Sequence, residues 1–235
     1  SEVRELVQNA STQIFPAATP LWSAWRGLFR ARFNVAPLRE VIEAVVGADT
    51  RLGDLHTPLL VPAVALTSGA AQVFRSPHHP AHALHANTKL VDVALTTAAA
   101  PLVFPIALIG NAQYLDGGLI AHAPDSLALH EAQVFFAKRS KDIFMLSVGT
   151  TRELTALAAG GNPSRGLLYW MQQSRLPDVV VGAQQSLSLQ IASETLGDRH
   201  VSINTPRSRE QGESIALDRA DHIAIATLQA MAEHA

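Results

Sequence analysis

At 235 residues, with 48% hydrophobic and only 16% charged residues against a usual charged share of about 25%, the chain can bury much of its length in one domain, and disorder is excluded as a description of the whole. A net charge of −2 with no run of lysine and arginine leaves no footprint for a phosphate backbone, so no nucleic-acid partner is expected. The absence of cysteine excludes disulfides, a thiol nucleophile and Cys-ligated zinc or iron–sulfur sites, and fits a cytoplasmic setting.

The chain opens on Ser1 as an N-cap and Glu2 in a first turn, with Val3, Leu6, Val7, Ala10 and Ile14 at helical spacing, which predicts an amphipathic helix. There is no initiator methionine and no signal-peptide pattern, so the native N-terminus is expected upstream. Phe15, Trp22, Trp25, Phe29 and Phe33, with Arg26, Arg30 and Arg32, read either as a core-packing helix pair or as an amphipathic flap that meets lipid at a membrane surface. Pro37 at the start and Gly47 past the end bracket a helix whose apolar face is Leu38, Val41, Ile42 and Val45. Leu59 to Leu66 and Ala71 to Phe74 read as strands. Asn87 is the expected cap of a helix burying Leu90, Val91, Ala94, Leu95 and Ala98. Val93 to Leu115 carries no charge, but Pro101 and Pro105 break it, so a buried helix, a loop and a strand are expected in place of a membrane span. Ala112 to Leu115 reads as a short strand that ends at Asp116-Gly117-Gly118. Pro124 opens a helix to about Ala137, Asp142 to Val148 reads as a buried strand, and helices near Pro177–Leu196 and Leu217–His234 flank a strand at His200–Asn204. Strands alternating with helices argue an α/β sandwich around a partly parallel sheet.

The most specific stretch runs from Val91 to Ala128. A helix rich in small residues leads into Ala99-Ala100-Pro101, Phe104-Pro105 follows, and a strand then delivers Asp116-Gly117-Gly118 and a proline-started helix. The two glycines are expected to form a tight turn with positive φ, holding Asp116 at the carboxyl edge of a sheet, where ligands bind in open α/β folds. Further on, Leu146-Ser147-Val148-Gly149-Thr150 ends a strand, while Leu52-Gly53-Asp54-Leu55 and Val73-Phe74-Arg75 flank an earlier one. In this order, over nearly the whole chain, these segments resemble the patatin-like phospholipases of bacteria.

The resemblance implies a three-layer α/β/α sandwich with a partly parallel central sheet. It also implies a serine–aspartate dyad that cleaves fatty-acyl esters without metal or cofactor. Asp116 would be the general base, Gly117 and Gly118 would shape its turn, and Phe104 and His122 would line the pocket. The expected partner is a lipid or acyl-ester substrate, met in the cytoplasm or peripherally at a membrane. The dyad's serine belongs in Gly-x-Ser-x-Gly, and no two of the 14 glycines stand four apart. Gly160-Gly161-Asn162-Pro163-Ser164-Arg165-Gly166 looks like an oxyanion loop but follows Asp116, so a surface turn is expected there. The family's oxyanion loop and elbow precede the aspartate. Residues 1–235 are therefore expected to be the later part of the domain, with both elements upstream. The rival expectation is a catalytically silent module of the same fold that binds an acyl ligand. Some bacterial members are defence effectors switched on by a cyclic nucleotide, although no nucleotide motif stands out here. His78, His79, His82 and His85 crowd one loop, but Pro77 and Pro80 and the lack of an interspersed carboxylate argue against a metal site.

Overall fold

The computed structural model describes residues 10–11, 13–15, 31–150, 175–215 and 220–233. The fold is mixed α/β and divides into two compact units, residues 1–120 with 213–230, and residues 121–212 with 231–235.

The first unit is built on an antiparallel sheet. Helix α1 (Ala36–Val46) begins with Pro37 in its first turn and stops at Gly47, whose φ of 86° suits glycine. Strands β1 (Leu60–Ala65) and β2 (Ala70–Arg75) form a hairpin. Helix α2 (Leu90–Thr97) precedes strands β3 (Ala107–Ile109) and β4 (Ala112–Asp116), which give the sheet order β2-β1-β4-β3. Pro62 offers no N–H, and the β1–β4 ladder is limited to Ala63–Ala65 opposite Asp116–Tyr114. Leu52, Ala63, Phe74 and Val93 form the buried centre between sheet and α2, with Tyr114 tilted on Phe74 at 5.3 Å. A second cluster joins Ala10, Ile14, Phe33 and Phe104.

Asn87 is not the cap of α2. Lys89 holds that position in an extended bridge with Arg51, and the Asn87 carbonyl instead accepts the Arg51 guanidinium at 2.8 Å. Pairing across the chain thus decides where the helix can start.

Helix α3 (Gly118–Ala121) closes the leading segment of the first unit. In the second unit, α4 (Asp125–Val134) follows Pro124. Strand β5 (Met145–Val148) pairs in parallel with β6 (His200–Ile203), and α5 (Arg175–Leu196) lies in the crossover that parallel pairing requires. Leu129, Ile143 and Leu196 are the core. The expected buried strand is shorter and one-sided. Ser140–Asp142 is a 3-10 turn, and Phe144, Leu146 and Val148 are 82%, 63% and 73% exposed. Period-two alternation sends these three to the face away from Ile143 and Met145. Helices α6 (Arg209–Ser214) and α7 (His222–Glu233) complete the described elements. Among the described residues no helix is long and apolar enough to cross a membrane.

Candidate functional site

Asp116 is the last residue of β4 and is half-buried. Its amide donates to the Ala99 carbonyl at 3.1 Å, which ties the strand end to the segment just after α2. Its carboxylate Oδ1 accepts the Gly118 amide at 2.7 Å. Gly117 is buried, and a Cβ there would strike the Pro62 carbonyl and come within 2.8 Å of Thr97 Oγ1. Ile120 N then bonds to Gly117 O at 3.1 Å, so the chain passes from strand to helix across one residue.

Neither glycine has positive φ, contrary to the expectation from sequence; among described glycines only Gly47, Gly69, Gly110 and Gly197 do. Gly117 is required because two backbones meet, and Gly118 is simply the first residue of α3. The parallel-sheet rule also does not account for the position of Asp116, because β4 is antiparallel to both neighbours. The result is a half-buried carboxylate at a strand end, with Oδ1 oriented by the Gly118 amide, a group of the type that can accept a proton from a hydroxyl.

The two expected lining residues fall in different places. Phe104 is buried and lines a cavity of about 180 Å³ in the first unit. His122 is exposed and lines one of about 190 Å³ in the second, with Asp125, Ser147 and Asn204.

That second cavity holds a polar cluster that sequence reasoning missed. Ser147 Oγ donates to Asp125 Oδ1, and His200 Nε2 lies 2.9 Å from the same Oγ and 3.3 Å from the same carboxylate oxygen. The His200 and Asp125 side chains are almost wholly buried. Serine and carboxylate share one imidazole nitrogen, so the arrangement is not a linear Ser–His–Asp relay, in which they would use opposite nitrogens. It ties the start of α4 to β5 and β6. Nearby, the missing side chain of Gly149 leaves room for Asn204, whose buried Oδ1 has no partner among the described residues. The Ser-x-Gly-Thr motif flagged this strand, but nothing in the sequence joins residues 125, 147 and 200.

A family model for patatin-like phospholipases matches residues 1–129. The chain is 34% identical over its full length to a "cGAMP-activated phospholipase" of Pseudomonas aeruginosa (strain BWHPSA011 / Pa011), covering 70% of that protein. It is 29% identical, over 97% of its length, to proteins of the same description from Escherichia coli (strain TW11681) and Vibrio cholerae serotype O1 (strain ATCC 39315 / El Tor Inaba N16961), covering 68% and 70% of them. The chain belongs to the patatin-like phospholipase family. It is thereby a homologue of phospholipases in a family of lipid acyl hydrolases, and its similarity to the bacterial proteins runs through both units.

Within this patatin-like chain the histidine loop is engaged in local contacts. His78 Nδ1 is 3.1 Å from Ser76 Oγ, His79 Nδ1 accepts the Ala81 amide at 3.2 Å, and the His78 and His82 rings stand 4.9 Å apart. His85 packs edge-on against Phe74 at 5.1 Å; burial, then the charge of Arg75, lowers its pKa below the ordinary 6.5. Of the aromatic segment, Phe15 and Phe33 pack edge to face at 5.1 Å beside Phe104. Trp22, Trp25 and Phe29 lie outside the described residues, as do the opening residues 1–9 and Gly160–Gly166.

Proposed function

We propose that the intact protein hydrolyses the acyl esters of phospholipids or lysophospholipids, with Asp116 as the general base of a serine–aspartate dyad. The observation that carries this is the Asp116 elbow: a strand-end carboxylate oriented by the Gly118 amide, in a patatin-like chain. The serine's proton would pass to Asp116 as Oγ attacks the ester carbonyl. Asp116 would return that proton to the departing alcohol oxygen, leaving an acyl-enzyme; the regenerated carboxylate would then take a proton from the attacking water and give it to the serine oxygen as the fatty acid is released. Because the sequence contains no Gly-x-Ser-x-Gly, the reading assigns the serine and the oxyanion donors to sequence outside residues 1–235.

The same reading completes the fold as a three-layer α/β/α sandwich. It is supported by the parallel β5–β6 pair, which carries Leu146 opposite Val201 and Val148 opposite Ile203, all exposed. Parallel sheets occur almost only with both faces covered, and further strands and helices of one domain would supply the cover. By analogy with its relatives, cGAMP is the proposed activator. The test is fatty-acid release from phospholipid vesicles by the intact protein, with and without cGAMP. Nucleotide-stimulated release supports the whole reading. Release independent of cGAMP removes the activator alone, and no release under either condition favours a silent acyl-binding module.

A further inference from the structure

Strand β5 carries Ser147 as its next-to-last residue, and Asn204 follows the last residue of the parallel strand β6. Both line the cavity of the second unit, which Asp125 reaches from the first turn of α4 and Gln185 and Leu189 reach from α5. The cavity thus extends to the carboxyl edge of a parallel pair, where α/β sheets bind small molecules. Its volume of about 190 Å³ equals roughly six waters of about 30 Å³ each, the size of a short ester and not of a two-chain lipid. Among the described residues no lysine or arginine lines it, whereas the Asp125 carboxylate does, so it suits an uncharged molecule.

The hydrogen bonds at Ser147 have a direction. Its hydroxyl donates to Asp125 Oδ1, so the 2.9 Å contact from Oγ to His200 requires the imidazole proton on Nε2. Oγ then gives its proton to a carboxylate, accepts one N–H, and keeps a lone pair. The Asp125 and His200 side chains are almost wholly buried. A serine bonded to a buried carboxylate, beside a cavity, is the pairing that an activated hydroxyl needs. The same cavity supplies donors for an oxyanion: the carboxamides of Gln185 and Asn204 line it, and α4 begins at it with Pro124 and Asp125, so the positive end of the helix dipole is there. Asn204 Oδ1, buried without a partner among the described residues, is an open acceptor of the kind a bound molecule satisfies.

We infer that Ser147 is a second reactive serine, which attacks short uncharged esters with Asp125 as its base. Ser147 Oγ bonds to the ester carbonyl carbon as its proton passes to Asp125 Oδ1. Asp125 returns that proton to the alcohol oxygen as the ester bond breaks, leaving an acyl group on Ser147. Water then attacks the acyl carbon, its proton passes through Asp125 to Oγ, and the short acid leaves. His200 Nε2–H holds the serine and the carboxylate together throughout. The chemistry makes no use of Asp116 and goes beyond the phospholipid reading.

The test treats the intact protein carrying Asp116→Asn, which takes the proposed dyad out of the readout, with diisopropyl fluorophosphate and maps the adducts by mass spectrometry. Ser147 should be labelled, faster than the exposed Ser202 of the same cavity, and a short butyrate ester should slow the labelling. Asp125→Asn, checked by a thermal melt, should slow it by about 10²-fold or more. Ser147→Ala should lose the adduct and lower turnover of short esters, with phospholipid release by the protein with native Asp116 unchanged. No adduct on Ser147 in the folded protein, labelling no faster than at Ser202, or an equal rate in folded Asp125→Asn overturns the inference and leaves the cluster as a structural tie. If Asp125→Asn does not fold, labelling against Ser202 and competition by the ester decide. Labelling of Ser147 without phospholipid release by the native protein would sustain this inference and remove the lipid reading.

Discussion

Gly117 and His85 show how much the first unit depends on single positions. The Gly117 Cα faces the Pro62 carbonyl so closely that any side chain must displace backbone. Gly117→Ala should therefore lower stability by about 1–3 kcal/mol, read as a fall in the urea midpoint at unchanged slope. A loss under about 0.5 kcal/mol, the usual range for an unconstrained surface site, would mean that β1 and the elbow are not in contact. His85 gives a pH signature. Its folded pKa is depressed below 6.5 by burial and by Arg75, so the folded state favours neutral imidazole. That contribution is complete above the unfolded pKa and is lost as pH falls through the lower folded value. His85→Gln should flatten the decline of melting temperature on acidification below about pH 6.5, and an unchanged slope would count against it.

At the scale of elements, β5 separates what pattern reveals from what it conceals. Phe144, Leu146 and Val148 made the segment read as buried, yet all three are exposed and Ile143 alone is deeply covered. A run of apolar residues specifies a strand but not which faces are covered, since that depends on what lies across the sheet. If further elements of the domain cover this face, Phe144→Ser in the intact protein should cost about 3–5 kcal/mol, as for removal of a core aromatic. A naturally solvated face would change the melt by no more than about 0.5 kcal/mol. Helix α1 was legible because Pro37 and Gly47 are local signals, and β4 because a short apolar run ends at Asp116-Gly117-Gly118. The start of α2 was not, because the Arg51–Lys89 bridge that fixes it spans 38 positions of sequence. The Asp125–Ser147–His200 cluster escaped for the same reason: a helix start and two strands meet only after β5 and β6 pair.

For the whole molecule, the proposed reading is acyl transfer by a serine, a carboxylate and backbone donors. Hydrolysis by the intact protein should then be unchanged by EDTA; loss on chelation with recovery on zinc would promote the His78–His85 loop to a metal site. The relatives that match the chain throughout are themselves longer, with 68–70% of their length covered, which is why each catalytic test calls for the intact protein. The most direct measurement compares initial rates of fatty-acid release from phospholipid vesicles by the intact protein and by Asp116→Asn, with cGAMP present and a thermal melt of each. Asparagine keeps the size of the side chain and an acceptor for the Gly118 amide while losing basicity. The account predicts a fall in rate of about 10²–10⁴-fold with the melting temperature nearly unchanged. A folded Asp116→Asn protein that retains activity within a few-fold of the parent would contradict it.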